Sequence, residues 1–149
     1  RQSGFGYLQN SVWISPDPIP QDLENLVREV DGVEFLTRFA ARTSNPETDS
    51  RIVETSWPFQ EIDRRYKRCI DILEEFPIQK AGQGFARETL LEWSRAEHAA
   101  WKSVLEIDPF LPSALLPIGY QGQKVWNRRR DVLARAGEAV HQLDPSAAA

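Results

Sequence analysis

The chain has 149 residues, 41% of them hydrophobic and 27% charged, with a formal net charge of −4. That length buries a core as one domain or as two small ones, and the acidic balance argues against nonspecific binding to nucleic acid. The single cysteine, Cys69, cannot close an internal disulfide and fits a reducing, cytoplasmic compartment, and no apolar run approaches membrane-spanning length.

Residue 1 is arginine and methionine is absent throughout, so the chain is expected to be a fragment. Gly4 to Pro16 predicts a β-hairpin: Phe5 and Tyr7 alternate, Gln9-Asn10-Ser11 makes the turn, and Val12, Trp13 and Ile14 follow. Pro16, Pro18 and Pro20 end the second strand. Gln21 to Val30 reads as a short helix with Leu23, Leu26, Val27 and Val30 on one face, and Val33 to Ala40 as a returning strand. Strand, strand, helix, strand are the last four elements of a ferredoxin-like unit whose opening would lie upstream of Arg1. Thr43 to Arg51 is polar and without a period, which places a domain boundary there. The expected fold class is therefore α+β: a partial ferredoxin-like unit over residues 1–42, then an all-α helical domain over residues 43–149.

Three long helices are predicted in the second part. Ser56 is the expected N-cap of the first, with Pro58 in its opening turn; Phe59, Ile62, Tyr66, Cys69, Ile70, Leu73 and Phe76 form its apolar stripe, and Pro77 stops it. The second spans about Gly84 to Ile107, with Phe85, Leu90, Trp93, Ala100, Trp101, Val104 and Ile107 on its apolar faces. The third spans Gln123 to Leu143 and ends before Pro145. Between the last two lies a connector from Glu106 to Gly122 that is too apolar for an ordinary surface linker. In it Asp108-Pro109 stops a helix, Pro112 starts a short turn, Pro117 ends it, and Gly122 opens the last helix. Leu111, Leu115, Leu116 and Ile118 are expected to plug the core between the helices.

Chemistry-bearing motifs are sparse. Gly82-Gln83-Gly84-Phe85-Ala86-Arg87 has the start of a glycine-rich phosphate loop, but it lacks the third glycine and follows a helix, so a turn is the plainer reading. His98 and His141 have no companions at metal-ligand spacing, and no metal site is expected. Lys124, Arg128 and Arg135 share one side of the last helix, with Arg129 and Arg130 beside them; they suit an anion site or a solvated face paired to Asp131 and Glu138. Arg64, Arg65, Lys67 and Arg68 surround Tyr66, but Glu61, Asp63 and Asp71 cancel their field. Trp57, Trp93, Trp101 and Trp126 suit either a flat-ligand pocket or a core. Asp108, at a helix end, is expected to cap or pair locally. No nucleophile–base pair or carboxylate pair is present, and no enzyme is expected.

Three stretches together carry a family resemblance. GFGYLQNSVWISP (Gly4 to Pro16) resembles the middle-domain signature of the PaaX-type transcriptional repressors, named for phenylacetic acid catabolism. Trp57 and Tyr66 are similar to the W-x(8)-Y opening of that family's C-terminal helical domain. Asp108, Pro109, Leu111, Pro112, Leu115, Leu116, Pro117 and Gly122 resemble its DP-x-LP-x-x-LLP-x-x-x-x-G pattern. Two places depart from it: Trp57-Pro58 stands for Trp-Asp/Asn-Leu, and Gly119-Tyr120-Gln121-Gly122 for Asp-Trp-Pro-Gly.

The resemblance implies a three-part cytoplasmic repressor that acts as a homodimer. An N-terminal winged helix, absent from this chain, would bind operator DNA. The ferredoxin-like middle domain, similar to small CRISPR-associated nucleases, would serve dimerisation. The helical domain would help sense an effector, an aryl-CoA such as phenylacetyl-CoA or a related acyl-CoA, with no cofactor. Such an effector asks for an apolar slot and several cations; Trp57, Tyr66, Trp93 and Trp101 are the candidates for the slot, and Lys124, Arg128 and Arg135 for the cations. A purely structural dimerisation module and a remnant nuclease-like ferredoxin domain are the alternatives.

Overall fold

A computed structural model of the chain describes residues 5–10, 12–18, 25, 37, 39–77 and 87–143. The expected helix of residues 21–30, apart from the helical Asn25, and the loop of residues 79–83, with most of its glycine motif, lie outside the described residues. So does most of the strand expected over residues 33–40; Thr37, Phe39 and Ala40 are described, and their backbone is not in a strand. The described elements are a two-stranded antiparallel hairpin followed by four α-helices, a mixed α+β chain that is mostly helical. They divide into two compact units: Arg1–Trp57 with Pro109–Pro117, and Pro58–Asp108 with Ile118–Ala149.

In the first unit, strand β1 (Gly6–Gln9) pairs with β2 (Val12–Ile14) through Gly6↔Ile14, Tyr7↔Trp13 and Gln9↔Val12, with an irregularity between Tyr7 and Gln9. Asn10 makes the turn at a φ of 44°, a left-handed conformation that asparagine tolerates. Helix α1 (Pro46–Ser56) packs against β1. It occupies residues whose polar, aperiodic composition predicted an irregular boundary. The start signals are nonetheless local: Asn45 Oδ1 accepts from Thr48 N at 2.8 Å, Pro46 sits in the first turn, and Glu47 and Asp49 complement the helix dipole. The helix buries only Val53 and Ser56, so it needs no wide apolar stripe.

Ser56 was the expected cap of the following helix; it is instead the last residue of α1. The next helix, α2 (Phe59–Glu74), starts directly after Pro58, which holds its N-cap position and whose carbonyl accepts from Glu61 N at 2.9 Å and Ile62 N at 3.0 Å. The reason is that a chain leaving α1 at Trp57 is already extended (φ −125°, ψ 142°), as the residue before a proline prefers.

The connector behaves as its prolines predict. Pro112 precedes a single 3-10 turn (Ser113–Leu115) and Leu116 follows it in extended backbone. Its packing differs from the expected plug. Residues 109–117 group with the hairpin and α1, Leu111 is buried, Leu115 and Leu116 are half-buried, and Ile118 is fully exposed.

The second unit is three mutually packed helices: α2, α3 (Arg87–Leu105) and α4 (Gly122–Leu143). Each contributes a stripe at helical spacing. Ile62, Tyr66, Cys69, Ile72 and Leu73 come from α2; Leu90, Trp93, Ala100, Trp101 and Val104 from α3; Val125, Val132, Ala136 and Ala139 from α4. Two side chains tie α2 to α3 through backbone carbonyls: Trp93 Nε1 donates to Ile72 O at 2.8 Å, and Arg65 donates to Ser103 O at 2.5 Å.

Candidate functional site

The deepest polar assembly lies where α3 ends and α4 begins. Val104 O accepts from Asp108 N at 2.9 Å, so the aspartate closes the last turn of α3. Its side chain, expected to pair locally, instead reaches across the unit. Asp108 Oδ2 accepts from Tyr66 Oη at 2.5 Å and from Tyr120 Oη at 2.6 Å, and the two hydroxyls stand 3.2 Å apart. Tyr66 is 1% exposed and Asp108 6% exposed. The rings of Tyr66 and Tyr120 meet edge to face at 5.7 Å, and Phe59 meets Tyr120 the same way at 6.4 Å.

Burial, and then the bonds to Asp108, push both tyrosine hydroxyls well above their ordinary range. They stay protonated as donors, and charge-assisted bonds from both hold the carboxylate. Gly122 is part of the same design, because a Cβ there would run into the ring and hydroxyl of Tyr120. Tyr120 was visible in the sequence only as a departure from a motif; its hydroxyl and its place before a helix gave no local sign of a partner 54 positions away.

A second assembly joins α3 to α4. Glu97 falls on the buried stripe of α3, 6% exposed. Arg129 donates to it through Nε to Oε1 at 2.5 Å, and through Nη2 to Oε2 at 3.4 Å. The same guanidinium lies 4.6 Å over the Trp101 ring, and Trp101 packs on Trp126 at 5.3 Å. Arg129 therefore leaves the solvated group expected for its neighbours and becomes the partner of a buried charge. The readable signal was Glu97 itself, a carboxylate at a core position of a periodic stripe. Nearby, burial and then the Glu97 charge push the Cys69 thiol up to about 11.

The residues expected to form an effector site are distributed over both units. Tyr66, Trp93 and Trp101 are buried in the core of the three helices. Trp57 is equally buried but belongs to the hairpin unit. Of the three cations, Lys124 and Arg128 stand exposed on α4. Arg135 places its guanidinium 5.1 Å over the Phe76 ring, and Trp93 meets that same ring edge to face at 4.8 Å. One slot candidate and one cation candidate are thus brought to a shared aromatic ring.

These features define an α+β chain with a hairpin-and-helix part and a three-helix part whose buried charges are held by fixed donors. Residues 1–53 match the model of the PaaX protein central Cas2-like domain, and residues 57–143 match that of the PaaX-like protein C-terminal domain. The chain belongs to the PaaX-like family and carries these two domains of a transcription regulator. No curated protein and no solved structure matches it. Among the described residues, no helix is long and apolar enough to cross a membrane.

Proposed function

We propose that this chain is the dimerisation and effector-sensing part of a PaaX-like transcriptional repressor, without catalytic activity of its own. It works in the cytoplasm as a homodimer, reaches operator DNA through a winged helix N-terminal to Arg1, and responds to an aryl-CoA or related acyl-CoA. The observation that supports this reading is the succession of the two family domains along one chain. The chemistry of the helical unit is compatible with it. An acyl-CoA presents an apolar acyl group and several phosphates, which call for aromatic walls and guanidinium or ammonium donors. Arg135 and Trp93 meeting at Phe76, with Lys124 and Arg128 exposed on the same helix as Arg135, supply such groups.

Calorimetric titration of the protein with phenylacetyl-CoA and with free CoA tests the proposal. Binding is expected, with the aryl group adding affinity over CoA alone. Replacing Lys124, Arg128 and Arg135 together with alanine is expected to weaken it at least about tenfold, the loss of phosphate contacts worth about 1.4 kcal/mol or more. Absence of heat with every acyl-CoA tried would reduce the chain to a structural dimerisation module, with sedimentation reporting the dimer. Metal-dependent RNA cleavage by the full-length protein would make it an enzyme instead.

A further inference from the structure

Among the described residues, two buried side-chain polar atoms have no hydrogen-bond partner: Ser56 Oγ and Trp57 Nε1. They belong to consecutive residues, 8% and 7% exposed, where α1 ends. Their carriers converge on one point. A Cβ built on Gly6 would lie 2.7 Å from Ser56 Cβ and 2.7 Å from Trp57 Cε2. Those are the two carbons bonded to Oγ and Nε1, so both polar atoms sit one covalent bond from the surroundings of a single glycine. Glycine is required there, since any side chain would displace both carriers.

Serine and threonine late in a helix ordinarily return the hydroxyl to the carbonyl four residues back. Thr55 does so, to Arg51 O at 2.7 Å, and Ser50 to Pro46 O at 3.3 Å. Ser56, on the same helix, does not. An unmade hydrogen bond on a buried donor lowers the folding constant by about five- to a hundredfold, and native proteins satisfy such groups with ordered water or ligand. An indole N–H can only donate, while a serine hydroxyl donates or accepts. One oxygen with two lone pairs answers both.

We propose that Ser56 and Trp57 form a buried receptor for a single hydrogen-bond-accepting oxygen, packed beside Gly6. An internal water molecule has this chemistry, and so does the carbonyl oxygen of a small ligand. The ligand arm rests on the effector-sensing reading above; the water arm does not.

A double-mutant cycle on the whole chain tests the receptor. Ser56→Ala is expected to lower the folding constant about fivefold, the loss of one buried hydrogen bond, and to have much less effect in a Trp57→Phe background, because the two donors share one oxygen. An unchanged or raised folding constant for Ser56→Ala overturns the proposal, since that is the response of a donor without a partner. Strictly additive effects overturn the sharing. The indole N–H resonance of Trp57 identifies the occupant. A cross-relaxation peak to water in the free protein marks internal water, and a shift on adding phenylacetyl-CoA marks a ligand oxygen; the absence of both signals overturns the receptor. If phenylacetyl-CoA binds by calorimetry while Trp57 keeps its water peak, water is the occupant and the effector site lies elsewhere. If no heat is seen and the water peak persists, the receptor stands and the effector reading falls. Should Trp57→Phe fail to fold, Ser56→Ala read at the same indole resonance keeps the test intact.

Discussion

In the three-helix unit, Asp108 and Glu97 are buried, and each carboxylate is met by donors from other elements: two tyrosine hydroxyls for one, the Arg129 guanidinium for the other. In the hairpin unit, Ser56 and Trp57 are buried to the same degree, and their polar side-chain atoms meet no partner in the protein. The difference teaches where each unit is closed to further chemistry. A buried carboxylate with its donors in place is already satisfied and serves to specify packing. A buried donor without an acceptor is a position that another oxygen can improve.

The comparison breaks most easily at Arg129. Arg129→Ala leaves Glu97 buried without its cation and is expected to destabilise the protein by about 3–5 kcal/mol, read in a urea melt. Pairing it with Glu97→Leu should recover most of that loss; failure to recover would mean the pair specifies the fold rather than merely neutralising a charge. Leu111→Ala comes next, at about 2–3 kcal/mol for a buried leucine, whereas Leu116→Ala should lose less, because that side chain is half-buried. Equal losses would contradict the packing described for the connector.

Tyr66→Phe keeps the ring and removes one donor from Asp108. It should cost about 1–3 kcal/mol, with a smaller loss when Tyr120 is already phenylalanine if the two hydroxyls act together. At high pH the same groups set the direction of the stability profile. Unfolded cysteine loses its proton near 9.0, while folded Cys69 keeps it up to about 11. Across that window the unfolded chain binds fewer protons, so stability falls as pH rises, by about 1.4 kcal/mol per pH unit per group. Tyr66 and Tyr120, raised in the folded state from 10.0, continue the fall above pH 10. Cys69→Ala should flatten the first part of the decline and Tyr120→Phe the second, in denaturant melts between pH 7 and 11.5. The smallest effect is expected from Arg130→Ala. Its contact with Asp131 is 3.6 Å long and exposed on both sides, and it should change stability by less than about 0.5 kcal/mol.

Much of this fold was legible in the chain. The spacing of Ile62, Tyr66, Cys69 and Leu73, and of Leu90, Trp93, Ala100, Trp101 and Val104, is a local periodic signal, and the helices run within a few residues of where it places them. The connector's turn follows from three prolines. Helix α1 was missed because it buries only Val53 and Ser56, too few for a periodic apolar stripe, although Asn45-Pro46 marked its start. Ile118 was misplaced because an apolar residue next to half-buried ones carries no record of which way its own backbone faces.

The sequence by itself determined the approximate spans of the three long helices, the hairpin turn at Asn10, the breaks at Asp108-Pro109 and Pro117, and the family through those motifs. Each is a property of neighbouring residues, carried by fixed φ angles, turn chemistry or the 3.6-residue repeat. Only the tertiary structure decided that Asp108 binds Tyr66 and Tyr120, that Arg129 belongs to Glu97, and that Ser56 and Trp57 face Gly6 without an acceptor. Those relations join residues from 12 (Asp108 and Tyr120) to 51 (Gly6 and Trp57) positions apart, and over such separations only packing determines which side chains meet.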